Sequence, residues 1–268
     1  MTSSQPVLEA QRYVLPNAMP VAAERLSLLA QIFDPASTDA LLRTGIGQGW
    51  SCWEVGAGIG SVASWMADRV GPTGRVLATD LDPRYAAALT CATLEVRRHD
   101  VVKEPPPAEQ FDLVHTRLLL CHLGEREEVL DRLIAALKPG GWLVVEDFDS
   151  LSITADSRAN PFETPLKCLA ALREFFARSG LDLRLGRRLA GLLRSRGLTG
   201  VYSEGRIFMA CDGTTFSRFQ RLTLDQVREG LLSENLVTAE ELERDLEALE
   251  THFLSPSPVL WSASGRKR

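Results

Sequence analysis

Short apolar runs alternate with amphipathic stretches from residue 51 to residue 149. Each apolar run has the length of a buried strand, whereas the stretches between them place apolar side chains at helical spacing. Strict alternation of strand and helix predicts a parallel sheet with helices on both faces, and therefore an α/β fold. The predicted strands are SCWEVG (51–56), RVLATD (75–80), LEVRRHD (94–100), FDLVHT (111–116) and WLVVEDF (142–148).

Helices are predicted between these strands and through the less regular remainder of the chain. Pro139 ends one of them, and Thr238 with Glu241 forms a capping-box pattern that marks where the last one begins. Further strands are predicted at about 199–210 and 259–267. The predicted helices lie at 61–71, 83–90, 125–138, 165–179, 187–196, 215–232 and 239–253.

Composition and charge narrow the class of protein. The chain has 268 residues, 45% of them hydrophobic and 24% charged, as in an ordinary globular protein. Its net charge of −5 disfavours a nucleic-acid partner, and no apolar run approaches the ~20 residues that span a bilayer. Five dispersed cysteines without a CxxC pair predict reduced thiols, and the first residues lack a signal-peptide pattern. We therefore expect a cytoplasmic protein without a membrane or nucleic-acid partner.

The stretch EVGAGIGS, at residues 54–61, joins the first predicted strand to the first helix. Such a junction presents unpaired backbone amides and the positive end of a helix dipole to a ligand. Asp80 ends the next strand 20 residues after Gly60, where its carboxylate would accept hydrogen bonds from ribose hydroxyls. The dinucleotide fingerprint is GxGxxG, but this chain has Ser61 where the last glycine would stand. The spacing therefore disfavours a nicotinamide cofactor.

The order of these motifs resembles that of the class I S-adenosylmethionine-dependent methyltransferases of the small-molecule type. The resemblance covers about residues 51–149 and returns in LWSASGRK near residue 260. It implies a Rossmann-like, seven-stranded and mostly parallel sheet whose last strand is antiparallel, with S-adenosylmethionine at the carboxyl ends of the strands. The motifs that carry it are ExGxGxG (54–60), Asp80, HD (99–100), FDLVHT (111–116) and LKPGGWLVVED (137–147).

The resemblance also implies a set of cofactor-binding residues. The glycine amides would face the methionine part, Asp80 the ribose hydroxyls and Asp100 the adenine amino group. Tyr13 belongs to a segment that would fold over the cofactor, or else it is a core aromatic. The full set is Tyr13, Gly56, Gly58, Gly60, Asp80, Leu81, Asp100, Val101, His115 and Thr116.

The segments outside the alternating region predict a cover over this site. We expect an N-terminal helical lid at 1–40, a cofactor-binding core at 41–150, and a remainder at 151–268 that completes the core and carries helical cap insertions at about 150–180 and 213–254. Phenylalanines are frequent in the cap, which favours a small, hydrophobic acceptor, although such side chains also pack a cap onto a sheet. They are Phe162, Phe175, Phe176, Phe216 and Phe219, with Phe208 just before the second insertion.

Methyl transfer from a sulfonium is an in-line displacement, so it needs positioning and needs a base only if the nucleophile must lose a proton. His122 and Asp147 are the candidate catalytic residues; the alternative for His122 is a packing role. Arg117 and Asp149 are candidate substrate-binding residues, and a salt bridge is the alternative for Arg117. No further acidic cluster accompanies Asp147 and Asp149, so no metal site is predicted.

Several function classes stay open at this point. The first is a methyltransferase acting on a natural-product, quinone-like or lipid-like small molecule. The second binds S-adenosylmethionine in the same fold but catalyses a pericyclic or decarboxylating reaction. A nicotinamide-dependent oxidoreductase and a non-enzymatic binding module are weaker alternatives. The sequence identifies neither the acceptor nor whether the chain forms a homodimer.

Overall fold

A computed structural model describes residues 14–15, 19–108 and 110–268 of the chain. Its strands form a seven-stranded sheet and a separate two-stranded ribbon. Their bounds are β1 (Ser51–Val55), β2 (Arg75–Asp80), β3 (Leu94–Arg98), β4 (Phe111–Arg117), β5 (Leu137–Asp149), β6 (Thr199–Arg206), β7 (Met209–Cys211), β8 (Leu254–Pro256) and β9 (Val259–Arg266). The described helices are α1 (Ala22–Leu42), α2 (Ser61–Val70), α3 (Arg126–Ala135), α4 (Lys167–Arg178), α5 (Leu185–Ser195), α6 (Thr215–Ser233) and α7 (Ala239–Thr251).

The strand order of the large sheet is β3-β2-β1-β4-β5-β9-β6, and the ribbon consists of β7 and β8. Strands β1 to β5 pair in parallel, and β9 is antiparallel to both of its neighbours, β5 and β6. The predicted Rossmann-like, mostly parallel sheet with an antiparallel last strand is confirmed.

Alternate residues of each central strand enter two different cores. Trp53 of β1 packs with α3 and α5 on one face, and Cys52 packs with α1 and α2 on the other. A strand that is buried on both faces is apolar without alternation. This double burial explains why the central strands appear in the sequence as continuous hydrophobic runs.

A third core joins α1 with α4, α6 and α7, and we call these four helices the cap. Phe216 and Phe219 of α6 and Phe253 after α7 are buried in it. The capping box predicted for α7 is present, with Thr238 Oγ1 accepting from the Glu241 amide and the Glu241 carboxylate accepting from the Thr238 amide. No helix among the described residues is both long and apolar enough to cross a membrane.

Three predicted elements differ from the structure, and one of them is the strand predicted at about 199–210, which is divided between β6 of the large sheet and β7 of the ribbon. Strand β5 begins at Leu137, before the proline and glycines that the pattern places at a helix end, because Gly140 and Gly141 exchange backbone hydrogen bonds with Lys267 beyond β9. The helix predicted at 83–90 is two 3₁₀ turns, since so short a segment cannot offset the cost of helix nucleation.

Candidate functional site

A cavity of about 930 Å³ lies between the carboxyl ends of β1 to β4 and the cap. One half is formed by strand ends and the glycine loop at 54–61, and we call it the strand-end half. Its lining includes Gly56, Gly58, Asp80, Leu81, His99, Asp100 and Val101. The other half is formed by the cap and the end of β5, and we call it the cap half. Its lining includes Arg25, Phe148, Leu169, Arg173, Phe176, Phe216 and Phe219.

The three glycines of the loop all have a positive φ, but their surroundings differ. A Cβ on Gly56 would lie 3.3 Å from a Leu119 methyl, whereas one on Gly58 would meet nothing closer than a Leu26 methyl at 3.9 Å. The Gly58 backbone is therefore open to a ligand in the cavity. Gly60 lies outside the cavity lining, and a Cβ there would come within 2.5 Å of a Leu89 methyl. Glycine is needed at position 60 because a side chain would collide with the 3₁₀ turns that pack against the loop.

Asp80 holds the loop and faces the cavity at the same time. Its carboxylate accepts hydrogen bonds from the amides of Gly58 and Asp82, both at 2.9 Å. Burial raises the pKa of Asp80, although these two amide donors oppose the shift. Each carboxylate oxygen has a further lone pair, so both can accept from hydroxyls of a bound molecule.

Asp100 lies at the end of β3, next to Asp80 in the sheet order. Its Oδ1 accepts from the amides of Val102 and Lys103 at 3.1 and 3.2 Å. The neighbouring His99 lines the cavity, and its Nδ1 is buried without a hydrogen-bond partner among the described residues. The sequence analysis predicted Asp100 as a binding residue and did not predict His99, because a sequence does not show which ring nitrogens have no hydrogen-bond partner.

His115 lies outside the cavity lining and is fully buried within the sheet. Its Nδ1 is 2.5 Å from Glu54 Oε2 and its Nε2 is 3.1 Å from Glu146 Oε2. Burial lowers the pKa of His115, but the two carboxylates outweigh it and raise that pKa to about 9. The pKa of Glu146 is lowered, whereas burial raises that of Glu54, so we assign the ionised carboxylate to Glu146. His115 is therefore a buried cation behind the glycine loop.

The same network reaches the cap through Ser37 and Arg117. Ser37 of α1 donates a hydrogen bond to Glu146, and Ser262 of β9 donates another. Arg117 donates to Ser37 Oγ at 2.7 Å and to Asp34 Oδ1 at 2.8 Å. Arg117 lines the cavity, but its guanidinium is bound by the first helix of the cap. Thr116, also outside the lining, donates to the Val55 carbonyl at 2.9 Å.

Of the two candidate catalytic residues, only His122 lies in the cavity lining. Burial, together with the nearby charge of Arg25, lowers the pKa of His122 to about 4, so it is neutral at neutral pH. Asp147 is fully buried outside the cavity lining and accepts from the Cys121 amide at 3.3 Å; burial raises its pKa to about 7.

Asp149 is also fully buried and outside the cavity lining. It caps the turn after β5 by accepting from the amides of Leu151 and Ser152, and it pairs with Arg187. Within the described residues, no three His, Cys, Asp or Glu side chains are grouped as metal ligands.

The cavity thus brings together part of the set chosen from the sequence. The members that line it are Gly56, Gly58, Asp80, Leu81, Asp100, Val101, Arg117 and His122. The members that lie outside its lining are Gly60, His115, Thr116, Asp147 and Asp149. Tyr13 falls outside the described residues. The cap contributes Arg25 and Arg173, which carry no sequence motif and were not selected.

Comparison with known proteins agrees with this fold. A family model described as a methyltransferase domain matches residues 21–203, more than half of the chain. Methyltransferase str2 of Strobilurus tenacellus is 41% identical over 107 residues, which cover 39% of this chain and 38% of that protein. The ubiquinone/menaquinone biosynthesis C-methyltransferase UbiE of Laribacter hongkongensis is 30% identical over 120 residues, covering 41% and 48%. The matches span less than half the length of these relatives.

A solved structure is similar to this fold over a larger share of the chain than the sequence relatives are. The phosphoethanolamine N-methyltransferase 2 of Haemonchus contortus, solved with phosphomonomethylethanolamine and S-adenosylhomocysteine, superposes with a TM-score of 0.59 at 16% identity. The superposition covers 97% of this chain and 60% of that one.

The sheet order and the cavity at its carboxyl edge define a Rossmann-like domain with a nucleotide-type site. The chain belongs to the methyltransferase domain family. The resemblance to the class I S-adenosylmethionine-dependent methyltransferases, drawn from the motifs, is confirmed.

Proposed function

We propose that this protein transfers a methyl group from S-adenosylmethionine to a small, largely apolar acceptor. The observation that carries the proposal is the two-sided cavity: acidic strand ends and an open glycine loop face an aromatic cap across one continuous space. A volume of about 930 Å³ lies near the upper end for small-molecule sites. It has room for a nucleoside cofactor and a small acceptor side by side.

The strand-end half fits the cofactor. The Asp80 carboxylate would accept from the ribose hydroxyls. The amides of Gly56, Gly58 and Gly60 donate to Thr79, Asp80 and Ala57, so the loop would meet the methionine part through the uncrowded backbone at Gly58 rather than through those amides. Asp100 would accept from the adenine amino group, with Leu81 and Val101 against the ring. When bound, S-adenosylmethionine supplies an electrophilic methyl group.

The cap half would receive the acceptor. Phe148, Phe176, Phe216 and Phe219 present aromatic walls, which exclude water and restrict how a flat apolar molecule can lie. Positioning of this kind supplies much of the rate of an in-line displacement. His122 lines the same space as a neutral imidazole, and its lowered pKa makes it a weak base, so we assign it the role of orienting the acceptor.

The buried network would act as support for the site. With Glu54, His115 and Glu146 fixed within the sheet, the end of β1 enters the loop at a defined position. Arg117 joins that network to α1 rather than to the acceptor. Three of the five cysteines are buried thiols and none is bonded in a disulfide, which supports a reducing, cytoplasmic setting.

The first test is cofactor binding, measured by titration calorimetry with S-adenosylmethionine, S-adenosylhomocysteine and NAD⁺. We expect both adenosyl compounds to bind and NAD⁺ not to bind. Binding of NAD⁺ alone would contradict the proposal in favour of the oxidoreductase alternative. Failure to bind either adenosyl compound would contradict it altogether.

The second test separates methyl transfer from other chemistry in the same pocket. The protein is incubated with methyl-labelled S-adenosylmethionine and a panel of phenols, quinols and aryl carboxylic acids. We expect label in an extracted product and one S-adenosylhomocysteine formed for each methyl group transferred. An acceptor that is converted without label would instead support a reaction that uses the cofactor only to organise the pocket.

A further inference from the structure

Arg173 of α4 is a cation in the cap half of the cavity. Its neighbours along α4 in the lining are Leu169, Ala170, Leu172 and Phe176, and all four are apolar. Burial lowers the pKa of Arg173, but a guanidinium remains protonated at neutral pH. The side chain is half-buried.

Arg173 forms no hydrogen bond or ion pair with any part of the chain that the structure describes. The other charged side chains of the cap half do have partners. Arg25 donates to Gln226 Oε1 at 2.8 Å, Lys167 pairs with Glu241, and Asp182 pairs with Arg188 at 2.5 Å. A charge that is partly removed from water without a partner is costly, and a ligand of opposite charge offsets that cost.

From this placement we infer that the acceptor is an amphiphilic anion, an aromatic or alkyl molecule whose carboxylate, sulfonate or phosphate group is bound by Arg173. A guanidinium presents a planar fork of donors that matches the geometry of such groups. The apolar body of the ligand would lie against the phenylalanines of the cap. This inference rests on the proposed function, because it takes the cap half as the acceptor side.

The test uses two fluorescent probes with the same rings. 1-Anilinonaphthalene-8-sulfonate carries an anion, and N-phenyl-1-naphthylamine is its counterpart without the sulfonate. Arg173→Met removes the charge and keeps the length of the side chain. Arg194→Met is the matched control, since Arg194 is exposed on α5 and lies outside the cavity lining.

We expect Arg173→Met to weaken binding of the sulfonate probe about tenfold or more, and to change binding of the neutral probe less than twofold. Arg194→Met should change neither. Arg173→Gln provides a second variant with the same expectation if circular dichroism shows that the methionine variant is unfolded. Equal loss for both probes, no loss for either, or no binding of the sulfonate probe to the native protein would overturn the inference.

A binding measurement in the presence of saturating S-adenosylhomocysteine shows which half of the cavity the sulfonate probe occupies. The sulfonate probe should still bind in its presence, because the two ligands would occupy different halves. Displacement of the probe would put the anion on the cofactor side and overturn the inference. A native protein that binds no S-adenosylhomocysteine contradicts the proposed function instead, whereas the difference between the two probes at Arg173 can be measured without any cofactor.

Discussion

At the scale of single residues, Asp80 has a structural role and a proposed binding role, and the sequence motif indicates only the second. Its carboxylate accepts from the Gly58 amide and so fixes the loop, and its remaining lone pairs are available to ribose hydroxyls. Removing the side chain therefore affects both the shape of the site and its charge. Asparagine in its place retains one acceptor oxygen, which can serve the Gly58 amide, but loses the charge and the second acceptor, which serves the Asp82 amide.

We predict that Asp80→Ala weakens binding of S-adenosylmethionine by about 2 kcal/mol, and that Asp80→Asn weakens it by less. Titration calorimetry measures both, with Asp68→Ala on the exposed side of α2 as the control. Because burial raises the pKa of Asp80 and binding needs its ionised form, affinity should also fall as the pH is lowered through that pKa. Unchanged affinity in Asp80→Ala would remove the cofactor assignment.

Two buried histidines should have pKa values shifted in opposite directions from that of an ordinary histidine. Carboxylates on both sides raise the pKa of His115 to about 9, whereas burial and Arg25 lower that of His122 to about 4. Nuclear magnetic resonance of ring-labelled histidine should therefore show one imidazolium that persists into alkaline solution and one imidazole that stays neutral down to acid pH. His115→Gln and His122→Gln assign the two signals among those of the four histidines, and an ordinary titration near neutrality for the His115 signal would contradict the network as described.

At the scale of elements, the Glu54–His115–Glu146 network joins three neighbouring strands and, through Ser37, the helix α1. Each of these strands is also held by backbone pairing, so the network adds a fixed side-chain register to the sheet. A buried charge that loses its partner is strongly destabilising. The network is therefore where a single substitution should alter stability most.

We predict that His115→Gln lowers the free energy of unfolding by about 3–5 kcal/mol near pH 6. The folded pKa of His115, about 9, lies above its ordinary value of 6.5, so its contribution is full below about 6.5 and is lost as the pH rises through 9. The difference between variant and native protein should accordingly shrink toward pH 9. Urea unfolding at both pH values measures it, with exposed His252→Gln as the control; a difference independent of pH would mean that His115 is not charged.

The sequence predicted the sheet well because its central strands are buried on both faces and their apolar runs are continuous. The family resemblance also assigned Gly58, Asp80 and Asp100 to one site, and the structure has all three in the lining of one cavity, at the edge where the carboxyl ends of the parallel strands meet. It could not show that His115 faces into the sheet between two glutamates, because that depends on which side of β4 the side chain takes. The cap residues Arg25 and Arg173 likewise come from helices whose position over the sheet follows from no local pattern.

At the scale of the whole molecule, the cavity has walls from the sheet and from the cap, so a ligand that fills it joins the two. Such a ligand binds the folded chain and not the unfolded one, and it stabilises the fold by mass action. The size of the effect depends only on the ligand concentration relative to its dissociation constant.

We predict that S-adenosylhomocysteine at 100 times its dissociation constant stabilises the protein by about 2.7 kcal/mol. For a chain of this size the melting temperature should rise by roughly 5–10 °C. Scanning calorimetry measures the shift, and Asp80→Ala at the same ligand concentration should show a smaller one. An identical shift in both proteins would mean that the ligand binds elsewhere.

The place of β9 has a consequence for how the chain reaches this structure. Residues 259–266 lie between β5 and β6 in the sheet, although both of those strands precede them in the chain. Until β9 is synthesised and inserted, β5 and β6 each have an unpaired edge with free amides and carbonyls. Pairing over so long a sequence separation is slow, and exposed edges invite pairing with other chains. The sheet therefore cannot be completed at its β6 edge until β9, which is synthesised after both of its neighbours, has been inserted.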